Sequence, residues 1–574
     1  MKRTAIFSLL LTALFCAGIV WAAYQAAAPS LTPLSKYVPA GPLLYLEAKD
    51  FSSLLADWNS SQQKKQWVKS SNYEVLSRSR LFLRLEGAGD QFAAAAGLPP
   101  DMNFLSQVAG TRSAVALYDI GNLQFLYITY LPSAKSIQTT LWQTRAKFEP
   151  RSAAGVDFYL RRDPESQKEV AFAVSGDYLL LATREDLMAG ALQLMSGSQN
   201  RTVESEQWWS QSVDSARALG DLRMVLNLEK IVPSPYFRTY WVQQNITDLA
   251  QYAAAVSDLF RSDQQYREER VLIRKAPPAT APSVDGLKAA ADLVRLAPDG
   301  AGVYEAKANP SADSCLDLLE TKLLAPHLGP APPSQIAPQV QLTSGETGGG
   351  SDMETRIDQP AVQRPFTPQN TTALKELLDK TQLFASLQVQ STERDKAGVF
   401  VRIHSAVVLA ASSDWNEASI QSALTEFVRP GLTAGQLGVT WRQKSGYQEF
   451  GGLWPLVASV RGKYLLVSDD PNLIAAMLSN FNRKSDVKPV VFVAGFNNSR
   501  ERANFARFSD VVDRPNLAQS NVPGNTSGIE RQPQFFSENM ASLSSTLAGV
   551  STERITVRTE GDRTLQTVTY EWLQ

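Results

Sequence analysis

Gly176-Asp177-Tyr178-Leu179-Leu180-Leu181 recurs 286 residues later as Gly462-Lys463-Tyr464-Leu465-Leu466-Val467, and a short helical pattern follows each copy, Asp186-Leu187-Met188-Ala189 and Asn472-Leu473-Ile474-Ala475. A glycine turn feeding a run of apolar residues reads as the second strand of a hairpin. The spacing is half the chain, so this pair of segments organises the rest of the reading.

Working upstream, Val38-Pro39-Ala40-Gly41 leading into Leu44-Tyr45-Leu46-Glu47-Ala48-Lys49 matches Ala297-Pro298-Asp299-Gly300 leading into Val303-Tyr304-Glu305-Ala306-Lys307. The separation there is 259 residues, so the second copy carries about 27 more residues between the two anchors. Residues 326–368, rich in Pro, Gly, Gln and Ser and including Gly348-Gly349-Gly350-Ser351, account for them as a flexible insertion. Downstream, Met224 to Leu228 and Val490 to Phe496 read as strands, and the second copy has a polar loop over 514–534. Glu269 to Lys275 closes the first copy, and Arg554 to Trp572 closes the second as a hairpin turned at Glu560-Gly561-Asp562.

Further hairpins are Arg112 to Tyr118 with Gln124 to Tyr130, joined through Asp119-Ile120-Gly121-Asn122, and Gln382 to Val389 with Val399 to Leu409. Helical spacing marks Ser136 to Ala146, Asn416 to Phe427, and the two longest patterns, Tyr73 to Gly97 and Ile246 to Phe260. Asp470-Pro471 supplies an N-cap and a proline at the first helical position, and Thr183 with Asp186 fits a capping box. The expected fold is α+β: two homologous halves, 35–276 and 286–574, each of antiparallel sheet with helices packed on one face.

Residues 1–28 read as a targeting segment. Met1-Lys2-Arg3 precedes an apolar run from Ala5 to Ala23. Its length is above the roughly 7–15 residues of a cleaved signal core and near the roughly 20 that span a bilayer. Trp21 and Tyr24 fit an interfacial anchor, whereas Ala26-Ala27-Ala28 fits a cleavage site, so signal anchor and cleaved signal both stand. Either way the body of the chain is expected outside the cytoplasm, held by an inner-membrane anchor or released to the periplasm. The expected partners are the membrane, through this N-terminal helix, and an envelope protein or lipid.

The stretch Ala173-Val174-Ser175-Gly176-Asp177-Tyr178-Leu179-Leu180-Leu181-Ala182-Thr183 and the Pro39-Ala40-Gly41 opening resemble a module of bacterial exported proteins built from a duplicated domain of unknown function. The resemblance covers most of residues 35–574 and implies an extracytoplasmic bacterial setting. It carries no catalytic residues with it.

Composition narrows the chemistry. Among 574 residues there are two His and two Cys: His327, His404, Cys16 and Cys315. Cys16 lies in the targeting segment and His327 in the insertion, which leaves one Cys and one His in the body and nearly excludes a His/Cys metal centre or a papain-like dyad. Cys315 reads as a small hydrophobe in a helix from Ala312 to Leu324. A net charge of −1 gives no basic surface for nucleic acid. No metal ion or cofactor is expected, and no catalytic residue is assigned.

Asp469-Asp470 is accounted for by helix capping, and His404 lies on an apolar strand with Arg402 on the same face. Ser61-Gln62-Gln63-Lys64 and Ser485-Asp486-Val487-Lys488 fit Ser-x-x-Lys but lack the companion elements of penicillin-binding enzymes. Trp58, Trp67 and Trp454 read as core or rim residues. Trp208 and Trp209, adjacent in a polar helix, cannot both face one core stripe and are the candidate ligand or partner contact, with packing between the halves as the alternative.

The expected function is that of a non-enzymatic envelope binding or scaffold protein. A carrier of lipid or another apolar ligand is the second reading, and a hydrolase using carboxylates alone is the third. A continuous apolar cavity above roughly 300 Å³ favours the carrier.

Overall fold

The computed structural model describes residues 32–572 apart from 70–72, 74–76, 78–79, 199, 217, 235–248, 278–280, 325–370, 395–400, 433–439, 452–455, 502–503 and 505–548. Residues 1–28, read as a targeting segment, the whole of 326–368 with His327, residues 514–534 and Trp454 lie outside the described residues.

Among the described residues, twenty strands hydrogen-bond into one sheet. The first ten are β1 (Leu44–Ala48), β2 (Ser113–Asp119), β3 (Gln124–Tyr130), β4 (Glu149–Ala153), β5 (Val156–Arg162), β6 (Glu169–Ser175), β7 (Tyr178–Ala182), β8 (Leu222–Leu226), β9 (Tyr252–Arg261) and β10 (Gln265–Arg274). The second ten are β11 (Val303–Ala308), β12 (Leu383–Arg394), β13 (Val401–Ala411), β14 (Trp441–Gln443), β15 (Gln448–Phe450), β16 (Leu456–Arg461), β17 (Tyr464–Ser468), β18 (Phe492–Asn497), β19 (Val550–Glu560) and β20 (Arg563–Trp572).

Every pairing is antiparallel. From one edge the order is β4-β5-β6-β7-β3-β2-β1-β8-β9-β10. The sheet continues across the β10–β20 seam as β20-β19-β18-β11-β12-β13-β17-β16-β15-β14. Read outward from that seam, the two runs use their strands in the same order. Tyr178 and Tyr464 open β7 and β17, each after a glycine at φ +56°, the left-handed conformation that the tight turn requires.

The longer helices are α1 (Phe51–Ser60), α2 (Gln62–Val68), α3 (Arg80–Ala96), α4 (Met102–Val108), α5 (Glu185–Met195), α6 (Gln207–Val213), α7 (Val284–Leu293), α8 (Ala312–Leu319), α9 (Thr372–Asp379), α10 (Glu417–Leu432) and α11 (Pro471–Ser479). Side-chain oxygens of Asp50, Ser61, Asp101 and Asp470 accept amide hydrogens in the first turns of α1, α2, α4 and α11. The chain is α+β.

Helices cover both faces of the sheet, not one. On β7, Leu180 and Ala182 pack with Leu187, Met188 and Leu192 of α5, whereas Leu179 and Leu181 pack with Ala95 of α3 and Phe104 of α4. On β17, Leu466 packs with Ile474 and Met477 of α11, whereas Leu465 and Val467 pack with α8, α9 and α10. Strands that are apolar at consecutive positions have two faces to bury, so one layer of helices leaves half of that surface in water.

Two local expectations are also corrected. The segment Ile246 to Phe260 contains no long helix over its described part: Tyr252 onward is β9, paired on both sides with β8 and β10. Its alanines suit a helix in isolation, but two neighbouring strands and alternate burial of Ala254 and Val256 decide the matter. At the start of α5, Arg184 is the N-cap and makes no side-chain cap bond. Glu169 on β6 instead accepts the Glu185 N–H at 2.9 Å, and Thr183 Oγ1 accepts the Phe125 N–H at 2.8 Å.

Candidate functional site: an apolar cavity under α3

Strands alternate their side chains between the two sheet faces, so each strand reports how well each face is covered. Toward α5 the cover is complete: Tyr45, Ala116, Leu126 and Leu180 are at most 1% exposed. Toward α3 it is not, and Leu46, Val115, Phe125 and Leu222 remain partly exposed although they are apolar and lie on central strands. The space beside them is a cavity of about 1050 Å³.

Its floor is the sheet, through Leu46, Val115, Phe125, Tyr127, Leu181 and Leu222. Its roof is Phe51 of α1, Ala88, Phe92 and Ala95 of α3, and Phe104 and Leu105 of α4. The helices stand off the sheet while presenting small residues to it. Ala88, Gly89 and Ala95 line the cavity and give this face of α3 little volume.

The same side of β13 and β17 shows what full cover looks like. There Leu374 and Leu378 of α9 and Ile420, Leu424 and Phe427 of α10 close on Val407, Leu409, Leu465 and Val467, all at most 1% exposed. Large side chains fill one face, and small ones leave the other open.

Polar atoms near the floor are satisfied within the protein. Tyr127 Oη donates to the Val108 carbonyl at 2.8 Å, Ser113 Oγ and Thr129 Oγ1 lie 2.6 Å apart, and burial raises the Tyr127 phenol pKa. The floor therefore presents an apolar surface to the cavity. One end of the cavity is polar, formed by Asn122, Gln124, Lys168, Glu169, Arg184 and Asp186. Its acids Glu169 and Asp186 are engaged, Glu169 with Arg162 and the Glu185 amide and Asp186 with Arg184, and Glu185, also at this end, lies 3.9 Å from Arg151. Lys168 Nζ lies 3.3 Å from Asn122 Oδ1.

Trp208 and Trp209 lie away from this cavity. Trp209 is buried in the core cluster on the α5 side, edge-to-face with Tyr45 at 4.8 Å between centroids, and Trp208 packs on the same cluster with Nε1 donating to Glu206 at 2.6 Å. Trp58 is exposed, and Cys315 is buried in the cluster under α8.

His404 and Asp469-Asp470, separate in sequence, come together in space. His404 Nε2 is 3.3 Å from Glu393, and Nδ1 is 3.9 Å from Asp470 and 4.0 Å from Asp469. Asp469 accepts the Ser405 N–H at 2.8 Å, and burial lifts its carboxyl pKa to about 6. Asp470 caps α11 through the Asn472 N–H at 2.9 Å. Both acids thus serve local structure, and no group of three or more His, Cys, Asp and Glu converges as metal ligands among the described residues.

The cavity residues were not singled out by sequence. The stripe on Tyr73 to Gly97 reads as an ordinary core face, and the available signal was its run of Gly and Ala, which gives contact periodicity without the volume to fill a core.

No protein-family model matches the chain, and no curated protein matches it. Among solved structures, crystal form I of TP0453 is similar at a TM-score of 0.24 and 11% identity, over 44% of this chain and 82% of that one. Crystal form III of TP0453 is similar at a TM-score of 0.23 and 10% identity, over 44% and 83%. Similarity at that level carries no argument about fold or function.

Proposed function

We propose that this chain is a non-enzymatic binding protein of the bacterial envelope that carries a lipid or another apolar ligand in the cavity beneath α3. The observation that supports the reading is the cavity itself, about 1050 Å³ with an apolar floor and roof, against roughly 300–1,000 Å³ for ordinary ligand pockets. Apolar side chains on central strands left partly uncovered carry a standing cost in water, which an apolar occupant removes.

In the same proposal the chain is two copies of one α+β unit that have diverged in filling. Their common strand order and the equivalent places of Tyr178 and Tyr464 support this, with the second copy closed by large side chains and the first left open. The N-terminal apolar segment, as signal or anchor, brings the protein to the envelope, where fractionation of the full-length chain tests it.

The ligand reading is tested by titrating the purified protein with a fluorescent fatty-acid analogue and by mass spectrometry of lipid extracted from it. One probe per chain is expected, displaced by the extracted lipid. Ala88→Phe, which places a ring in the cavity, is expected to weaken the probe by about tenfold or more with little change in melting temperature. Absence of saturable binding, or binding indifferent to Ala88→Phe, overturns the proposal.

A further inference from the structure

Three chain reversals meet at the polar end of the cavity. Ala182, at the close of β7, stands between Ala171 of β6 and Leu126 of β3, so the β5–β6 turn, the β2–β3 turn and the junction of β7 with α5 lie at one end of the sheet. The first brings Gln167 and Lys168 to the cavity, the second Asn122 and Leu123, and the third Arg184 and Asp186.

Two of these turns are held in a strained backbone. Four non-glycine residues have positive φ among the described residues, and Gln167 at +56° and Leu123 at +49° are two of them. A residue with a Cβ keeps this left-handed conformation only where neighbouring bonds enforce it. Around Gln167 they do. The Asp163 N–H donates to the Lys168 carbonyl at 2.9 Å, the Gln167 N–H donates to the Asp163 carbonyl at 3.0 Å, and Asp163 Oδ2 accepts the Ser166 N–H at 2.7 Å. The backbone of Lys168 is thereby pinned beside the cavity.

The charges at this end are paired, with one exception among the described residues. Both oxygens of Glu169 are taken, by Arg162 and by the Glu185 N–H, and both of Asp186 are taken by Arg184, whose remaining nitrogen donates to Gln124 at 3.1 Å. Glu185 faces Arg151 at 3.9 Å. The two oxygens of Asp119 accept the two Asn122 donors at 3.0 and 2.9 Å, and the Lys168 charge acts on that carboxylate only from a distance. Lys168 itself has a neutral partner, the Asn122 side-chain oxygen at 3.3 Å, and forms no ion pair among the described residues. An ammonium has three protons to donate, so it has capacity to spare.

An occupant that covers this end takes water from Lys168, and a cation stripped of water without a counter-ion is costly. A hydrocarbon or an alcohol leaves that cost standing, and a cationic head adds repulsion. An oxyanion offsets it through charge-assisted hydrogen bonds. We infer that the ligand is a long-chain amphiphile with an anionic head, a carboxylate or phosphate bound by Lys168 while the chain lies on the apolar floor. The inference rests on the carrier reading and names the class of ligand that the cavity takes.

The test is displacement of a neutral apolar dye, Nile red, from the purified protein at about pH 8 by three chains of equal length: dodecanoate, dodecyl phosphate and dodecanol. The anions are expected to displace the dye at about tenfold lower concentration than the alcohol. Lys168→Met is expected to bring them to the level of the alcohol, and Lys168→Arg to keep the preference. If Lys168→Met folds poorly, high salt serves instead, weakening the anions and not the alcohol. Ala88→Phe is expected to weaken all three, which ties the head to this cavity. A preference shown by one anion alone supports the inference and names the oxyanion. Displacement by none of the three overturns the carrier reading and this inference with it. Displacement by the alcohol as well as by the anions, or an anion preference that survives both Lys168→Met and high salt, overturns the anionic head alone.

Discussion

Phe92 of α3 and Phe104 of α4 stand with ring centroids 5.9 Å apart and planes tilted by 59°, joining two helices across the roof of the cavity. Phe104 is 5% exposed, and Phe104→Ala is expected to cost about 3–5 kcal/mol in urea unfolding. Phe92 is only partly buried, so Phe92→Ala costs less, about 1–2 kcal/mol. It loosens the roof, and stopped-flow release of a bound probe is expected to be faster. An unchanged release rate means that the roof does not retain the ligand.

Across β8 and β9, Arg223 grips Asp258 with two N–O contacts of 2.8 Å, and the side chains are 11% and 4% exposed. Asp258 also accepts the Gly220 N–H at 2.8 Å. Arg223→Ala leaves a buried carboxylate without its cation and is expected to cost about 3–5 kcal/mol. The double variant Arg223→Met/Asp258→Leu recovers most of that, but not all, because the Gly220 amide loses its acceptor. Denaturant midpoints of the single and double variants decide; equal losses refute the argument.

Asp469 gives the pH dependence a definite sign. Its folded pKa is about 6 against an ordinary 3.8, chiefly because burial disfavours the carboxylate, with the Ser405 amide and His404 opposing. The folded state therefore binds this proton more tightly than the unfolded chain, and the stability it contributes is lost as pH rises from about 4 to about 6. Asp469→Asn keeps an oxygen for the Ser405 N–H and removes the titration. Its gain over the parent is expected to be larger at about pH 7 than at about pH 4. A gain independent of pH excludes Asp469 as the source.

What could be read along the chain was local. The β2–β3 hairpin follows from Asp119-Ile120-Gly121-Asn122, where Asp119 accepts the Asn122 N–H at 3.0 Å, and α11 begins where Asp470-Pro471 says it should. Turn and cap chemistry acts within a few residues, so it survives without knowledge of the rest of the fold. The segment now forming β9 misled because helical spacing of Ala and Leu is a weak preference that two flanking strands override. Trp208 and Trp209 drew attention as an odd pair, and the structure uses both in packing on the α5 side.

By itself, then, the sequence determined hairpins such as β2–β3 and β19–β20 and that the Tyr178 and Tyr464 segments occupy like places, because apolar alternation, glycine turns and capping residues are short-range instructions. Only the tertiary structure decided that helices cover both faces, that His404 meets Asp469 and Asp470, and that a cavity lies beneath α3. Those features depend on how far a helix stands from the sheet and what volume its side chains bring. Ala88 and Ala95 on one side and Leu424 and Phe427 on the other obey the same periodicity, but they fill different amounts of space.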